Sequence, residues 1–124
     1  MGLDMYARRI SKENAINAFS VVHSDDTEEI HYWRKHHNLH GWMQTLYQSK
    51  GGTKEFNSEY VQLTLSDLLS LENDIKSNNL PITTGFFFGN NPPDEESNKD
   101  DLEFVDKARK IISEGDCVYY FSWW

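Results

Sequence analysis

Apolar and polar residues alternate along "GLDMYARRI" at the start of the chain, with Leu3, Met5 and Ala7 on one side and Asp4, Tyr6 and Arg8 on the other. A period of two predicts a half-buried strand. Residues 13–23 fit a short helix or a second strand equally well. From Thr27 the spacing turns helical, with Tyr32, His36, Leu39, Met43 and Leu46 recurring at intervals of three or four. Asp26 stands three residues before Glu29, the form of a capping box, so a helix is expected from about Thr27 to Ser49, stopped by Gly51 and Gly52. On that helix Trp33, His37, His40 and Tyr47 flank the apolar stripe, and Trp42 lies on its other side.

Further along, "EYVQLT" predicts a strand of about six residues. Thr64 then caps "LSDLLSLENDIKS", with Asp67 at the third helical position and Leu68, Leu71 and Ile75 as the buried edge. "TTGFFFG" is a short apolar run between glycines and predicts a buried strand. "NNPPDEESNKDD" combines prolines with acids and predicts an exposed acidic loop over 94–103. "DLEFVDKARKIISEG" predicts a third helix, with Phe104, Val105, Ala108, Ile111 and Ile112 inward and Gly115 as its stop. "DCVYYFSWW" is a closing β-prone segment. The sum is a single α+β domain over residues 1–124, with three helices on a small, mainly antiparallel or mixed sheet of about four strands.

Composition narrows the function more than the fold. A chain of 124 residues can bury a core without disulfides, and its one cysteine, Cys117, allows none within the chain. A net charge of -8 disfavours long nucleic acid, which needs a surplus of cations. A small anion responds to local field instead and is not excluded. No apolar run approaches the roughly 18 residues of a membrane span, and no leader pattern is visible, so a cytoplasmic protein without a membrane partner is expected.

The candidate chemistry sits in "HYWRKHHNLHGWM", residues 31–43, which holds four of the five histidines and two of the four tryptophans. No acid occurs between Glu29 and Glu55, whereas Arg34, Lys35, Lys50 and Lys54 do: the sign of the chain reverses locally. Arg34 offers a planar fork for phosphate or carboxylate. Trp33 and Trp42 offer faces on which a base can stack. The competing expectation for each residue is structural: the tryptophans in the core, His36 half-buried, Arg34 and Lys35 paired with the acids at 94–103. His36 and His40, four apart on a helix, could also share a metal in a hydrolase. The position after His36 is His37, however, where a zincin helix needs Glu. "GFFFG" is too bulky for a phosphate loop, and Cys117 has no neighbouring base.

Four stretches taken together, "MGLDMY", "YWRKHHNLHGW", "LPITTGFFFG" and "VYYFSWW", occur in the order seen in a family of small, mostly phage-encoded proteins, which the chain resembles from end to end. The resemblance implies a phage context. Its motif positions fall on Asp4, Tyr6, Trp33, Arg34, Lys35, His40, Trp42, Gly85, Phe86, Gly89, Tyr120, Ser122 and Trp124. Several of these are polar or charged, beyond what a core requires, which suggests that they converge. The expectation is a non-enzymatic protein, without cofactor, metal or catalytic residue, that binds a small anionic, nucleotide-like ligand through Asp4, Tyr6, Trp33, Arg34, Lys35, His37, His40, Trp42, Tyr120 and Ser122. In the cytoplasm of an infected host, with a possible homo-oligomer as its form, such a protein would suit antagonism of host defence. The alternatives are an inhibitor that docks on a host enzyme through acidic and aromatic surface, and the His36/His40 hydrolase.

Overall fold

The opening alternation becomes strand β1, Asp4–Ile10, in a computed structural model that describes residues 3–13, 15–17, 20–21, 28–34, 36–56, 59–77 and 95–123. Strands β2, Ala15–Asn17, and β3, Ser20–Val21, follow as a separate antiparallel pair, so the ambiguous second segment forms strands. Next come β4, Glu28–Arg34; helix α1, His37–Ser49; β5, Tyr60–Leu63; α2, Leu65–Lys76; α3, Glu95–Ser113; and β6, Cys117–Trp123. The main sheet has the order β4-β1-β6-β5, with every neighbouring pair antiparallel. This is a small α+β fold. The "TTGFFFG" segment lies outside the described residues.

Two expected elements are corrected. Residues 28–34 are a strand, where a helix from Thr27 was expected. Ile30, Tyr32 and Trp33 favour an extended backbone, and β1 supplies the ladder, from Asp4↔Arg34 to Arg9↔Glu28. Glu29 therefore pairs opposite Arg8 and caps nothing. Helix α1 starts after His36, whose side chain makes no capping bond. The second correction concerns the acidic segment: α3 begins at Glu95, just after the prolines, and Asp101 is fully buried. Acids near the start of a helix meet the positive end of its dipole, so charge there does not oppose the helix.

Local signals hold at the other boundaries. Thr64 accepts from the Asp67 amide while the Asp67 carboxylate accepts from the Thr64 amide, a complete capping box. Lys50 donates to the same carboxylate at 2.6 Å and to the Gln62 carbonyl at 2.8 Å, tying the end of α1 to the start of α2. Partial burial pushes the Asp67 carboxyl up, but the Lys50 and Thr64 hydrogen bonds outweigh it and hold the group below its ordinary value. Gly51 and Gly115, at φ +102° and +98°, supply the left-handed turns that end α1 and α3.

The pleat divides the sheet into two faces. Met5, Ala7, Trp33, Val61, Val118 and Tyr120 point to the helical side and form one core with Leu39 and Met43 of α1, Leu68 and Leu71 of α2, and Phe104 and Val105 of α3. On the opposite side a smaller cluster, Ile10 and Tyr119, is packed by Ala15, Tyr60 and Cys117. The Tyr119 hydroxyl donates to the Asn17 carbonyl, so the β2–β3 pair covers one end of that face. Burial pushes the Tyr119 phenol up to about 12. No helix among the described residues is long and apolar enough to cross a membrane.

Candidate functional site

The side of the sheet away from the helices carries an ordered aromatic surface. Register places Tyr32, Tyr6, Phe121 and Tyr60 side by side across all four strands. Their ring centroids are 5.3 Å apart for Tyr6–Tyr32, 6.5 Å for Tyr6–Phe121 and 4.7 Å for Tyr60–Phe121. The adjoining row holds Arg34, Asp4 and Trp123, again paired directly across the strands. Below Tyr6, the Arg8 guanidinium lies 5.6 Å from the Tyr6 ring centroid, a cation–π contact.

Tyr32 and Trp123 remain 45% and 50% exposed, yet neither ring is loose. The Tyr32 hydroxyl donates to Asp4 Oδ1 at 2.6 Å, and Trp123 Nε1 donates to the Tyr6 hydroxyl at 3.4 Å. The bond to Asp4 holds the Tyr32 phenol above its ordinary pKa, because ionising it would lose the donated proton beside a carboxylate. Arg34 Nε stands 4.0 Å from Asp4 Oδ1 with its side chain 63% exposed, leaving most of its donor fork to solvent. Fixed, exposed rings beside a largely free guanidinium can take a flat ligand at little ordering cost.

The helical side holds a different assembly. His40 is fully buried, with Nδ1 2.8 Å from the Tyr120 hydroxyl and 3.4 Å from Ser122 Oγ. Its ring stacks on Phe56 at 5.3 Å, and Phe56 stacks in turn on Tyr47 and Tyr120. Burial drives the Tyr120 phenol far up, so it stays neutral. Beside this cluster Trp33 Nε1 donates to Asp101 Oδ1 at 3.0 Å, and His36 Nε2 donates to Asp101 Oδ2 at 2.7 Å. Trp33 packs edge-on against Phe104, with centroids 4.8 Å apart. Asp101 thus accepts from both Trp33 and His36, and the Tyr120 hydroxyl pairs with His40 Nδ1, all inside the protein, where Ser122 and His40 are fully buried.

The ten expected ligand-binding residues therefore do not meet at one site. Asp4, Tyr6 and Arg34 share the open face. Trp33, His40, Tyr120 and Ser122 lie on the helical side, because a strand sends neighbours such as Trp33 and Arg34 in opposite directions. Trp42 is taken by a 2.8 Å bond from Nε1 to Asp74 Oδ2, which joins α1 to α2. Lys35 lies outside the described residues, and His37 opens α1 without a described side chain. His36 and His40 turn to different partners, Asp101 and Tyr120, instead of sharing one point. Among the described residues no group of three or more His, Cys, Asp or Glu is placed to hold a metal ion.

Tyr32, Phe121, Trp123 and Arg8 are not among the expected ligand-binding residues. Alternation in "DMYAR" and "YYFSW" carries the signal for three of them, since it puts Tyr6 and Arg8, and Phe121 and Trp123, on common faces. Tyr32 was hidden by the helical reading of its segment. The fold and the surface together define a four-stranded antiparallel sheet with helices on one side and an aromatic, partly charged platform on the other. Comparison with protein-family models, curated proteins and solved structures finds no match.

Proposed function

We propose that the chain is a non-enzymatic binding protein that holds a small anionic, nucleotide-like ligand on the open face of its sheet. The base lies against Trp123 and Tyr32, and Arg34 meets the phosphate. The observation that carries this is the pair of half-exposed rings locked by hydrogen bonds beside an exposed guanidinium. Stacking of a base on such a ring is worth about 1–3 kcal/mol, and a phosphate on Arg34 adds a charge-assisted bond. The net charge of -8 argues against a long strand and leaves a mononucleotide or short oligonucleotide. Resemblance to phage-encoded proteins makes sequestration of a host signalling nucleotide, and hence antagonism of host defence, the setting of this reading.

Isothermal titration calorimetry with a panel of linear and cyclic nucleotides tests it. At least one should bind, and Trp123→Ala and Arg34→Ala should each weaken it at least tenfold without lowering the melting temperature. No heat from any nucleotide at millimolar concentration rejects the reading. A second reading, docking on a host protein, is favoured by Leu65 and Leu69, one turn apart on α2 and both about half exposed. That partner would be lost on Leu69→Lys and kept on Trp123→Ala.

A further inference from the structure

We infer that the base selected on this face is guanine, with Asp4 as the group that reads it. The inference rests on the nucleotide reading of the platform and adds its specificity.

Asp4 occupies the middle of the outer row, directly between Arg34 on β4 and Trp123 on β6. A base lying on the Trp123 ring thus has one edge toward this carboxylate, whose side chain is 25% exposed. The carboxylate is not free to turn away: its Oδ1 accepts from the Tyr32 hydroxyl at 2.6 Å. Its Oδ2 makes no hydrogen bond to a described residue. An ionised carboxylate accepts and never donates. The platform therefore offers the base edge an oriented acceptor.

Base chemistry then decides. Guanine presents two adjacent donors, the N1 proton and the N2 amino group. Adenine presents its amino group beside a bare N1 lone pair, and cytosine presents its amino group beside a bare N3. Either lone pair would face carboxylate charge. Uracil has a single N–H between two carbonyls, which the carboxylate also repels. Guanine alone satisfies an acceptor without setting a lone pair against it. Placing a carboxylate in an anion site is otherwise unfavourable, since it repels phosphate. Its presence is explained if it works on the base while Arg34, with its side chain 63% exposed, takes the phosphate.

The experiment is calorimetric titration of the full chain with GMP, IMP and AMP, which share phosphate and sugar, and repetition of the series with Asp4→Asn. GMP should bind roughly ten- to a hundredfold more tightly than AMP, the range by which a good base-edge contact discriminates. IMP keeps the N1 proton and lacks the N2 amino group, so it should fall between. Asp4→Asn should bring the three affinities together, with the melting temperature as the check on folding. Equal binding of GMP and AMP by the native chain overturns the guanine inference and leaves the platform reading standing. Binding of none of the three, when other nucleotides bind, also overturns it; no binding by any nucleotide removes both. A GMP preference that survives Asp4→Asn overturns the role of Asp4. An RNA oligomer with a single guanine that binds more tightly than GMP overturns the free nucleotide as the ligand.

Discussion

Tyr120 and Phe121 are consecutive in β6, and the pleat sends them to opposite faces of the sheet. Tyr120 enters a closed assembly with His40, Ser122 and Phe56, where its hydroxyl meets His40 Nδ1 and its ring stacks on Phe56. Phe121 joins Tyr6, Tyr32 and Tyr60 in a row of which one side meets solvent. Both faces are aromatic and both include hydroxyls and a carboxylate. What differs is where the remaining hydrogen-bonding and stacking capacity points. Inside, most of it meets the protein; outside, Arg34, Trp123 and Asp4 keep part of theirs toward solvent. Residue type alone does not tell the two faces apart, whereas the partner of each group does.

The largest difference between the faces should appear on removing a carboxylate from each. Asp101→Ala leaves the Trp33 indole N–H and the His36 imidazole without their acceptor in the interior. A loss of about 3–5 kcal/mol is expected for a buried charged partner removed alone, read as a lower denaturant midpoint at unchanged slope. Asp4→Ala on the outer face should cost within about 0.5 kcal/mol, as for an exposed substitution. Equal losses at the two sites would dissolve the distinction between a sealed and an open face.

A narrower comparison deletes one hydroxyl from each side. Tyr120→Phe removes the partner of His40 Nδ1 and should cost about 1–3 kcal/mol, because buried polar atoms lose their bond with no water to replace it. Tyr32→Phe removes an exposed bond that water replaces, so its stability effect should lie within about 0.5 kcal/mol. Chemical denaturation of both variants measures the difference. A Tyr120→Phe chain as stable as its parent would show that the inner hydroxyl is structurally idle.

The same contrast explains what could be read from sequence. Alternation predicts β1, β-prone residues predict β6, and the Thr64–Asp67 box and Gly115 mark helix ends, because each depends on residues within a few positions. The helical expectation over β4 fails because Tyr32, four residues before His36, extends the apolar stripe of α1 backwards. Only pairing with β1, some 28 residues away for Tyr32 and Asp4, reveals it as a strand. Asp101 looked like one more acid in a polar run. Its partners Trp33 and His36 lie 68 and 65 positions away, and no local pattern carries that. The segment 31–43 is dense in basic and aromatic residues, but the alternation within β4 sends Trp33 and Arg34 to opposite faces, and Trp42 lies on α1.

The smallest effect separates two causes of one symptom. Tyr119 and Tyr32 both have phenols held above the ordinary value of about 10. For Tyr119 the cause is burial, so its shift to about 12 belongs to the folded chain as a whole. The neutral form is the one the fold prefers. Its contribution is therefore complete below the unfolded value and is lost as pH rises from about 10 through about 12. For Tyr32 the cause is chiefly the hydrogen bond its hydroxyl donates to Asp4 at 2.6 Å, with partial burial second. Asp4→Ala should accordingly lower the Tyr32 titration toward that of a free tyrosine and leave Tyr119 where it is, as followed by tyrosinate difference absorbance against a Tyr32→Phe control. Tyr32 unmoved by that substitution would mean that Asp4 is not held as described, and the oriented acceptor of the outer row would lose its anchor.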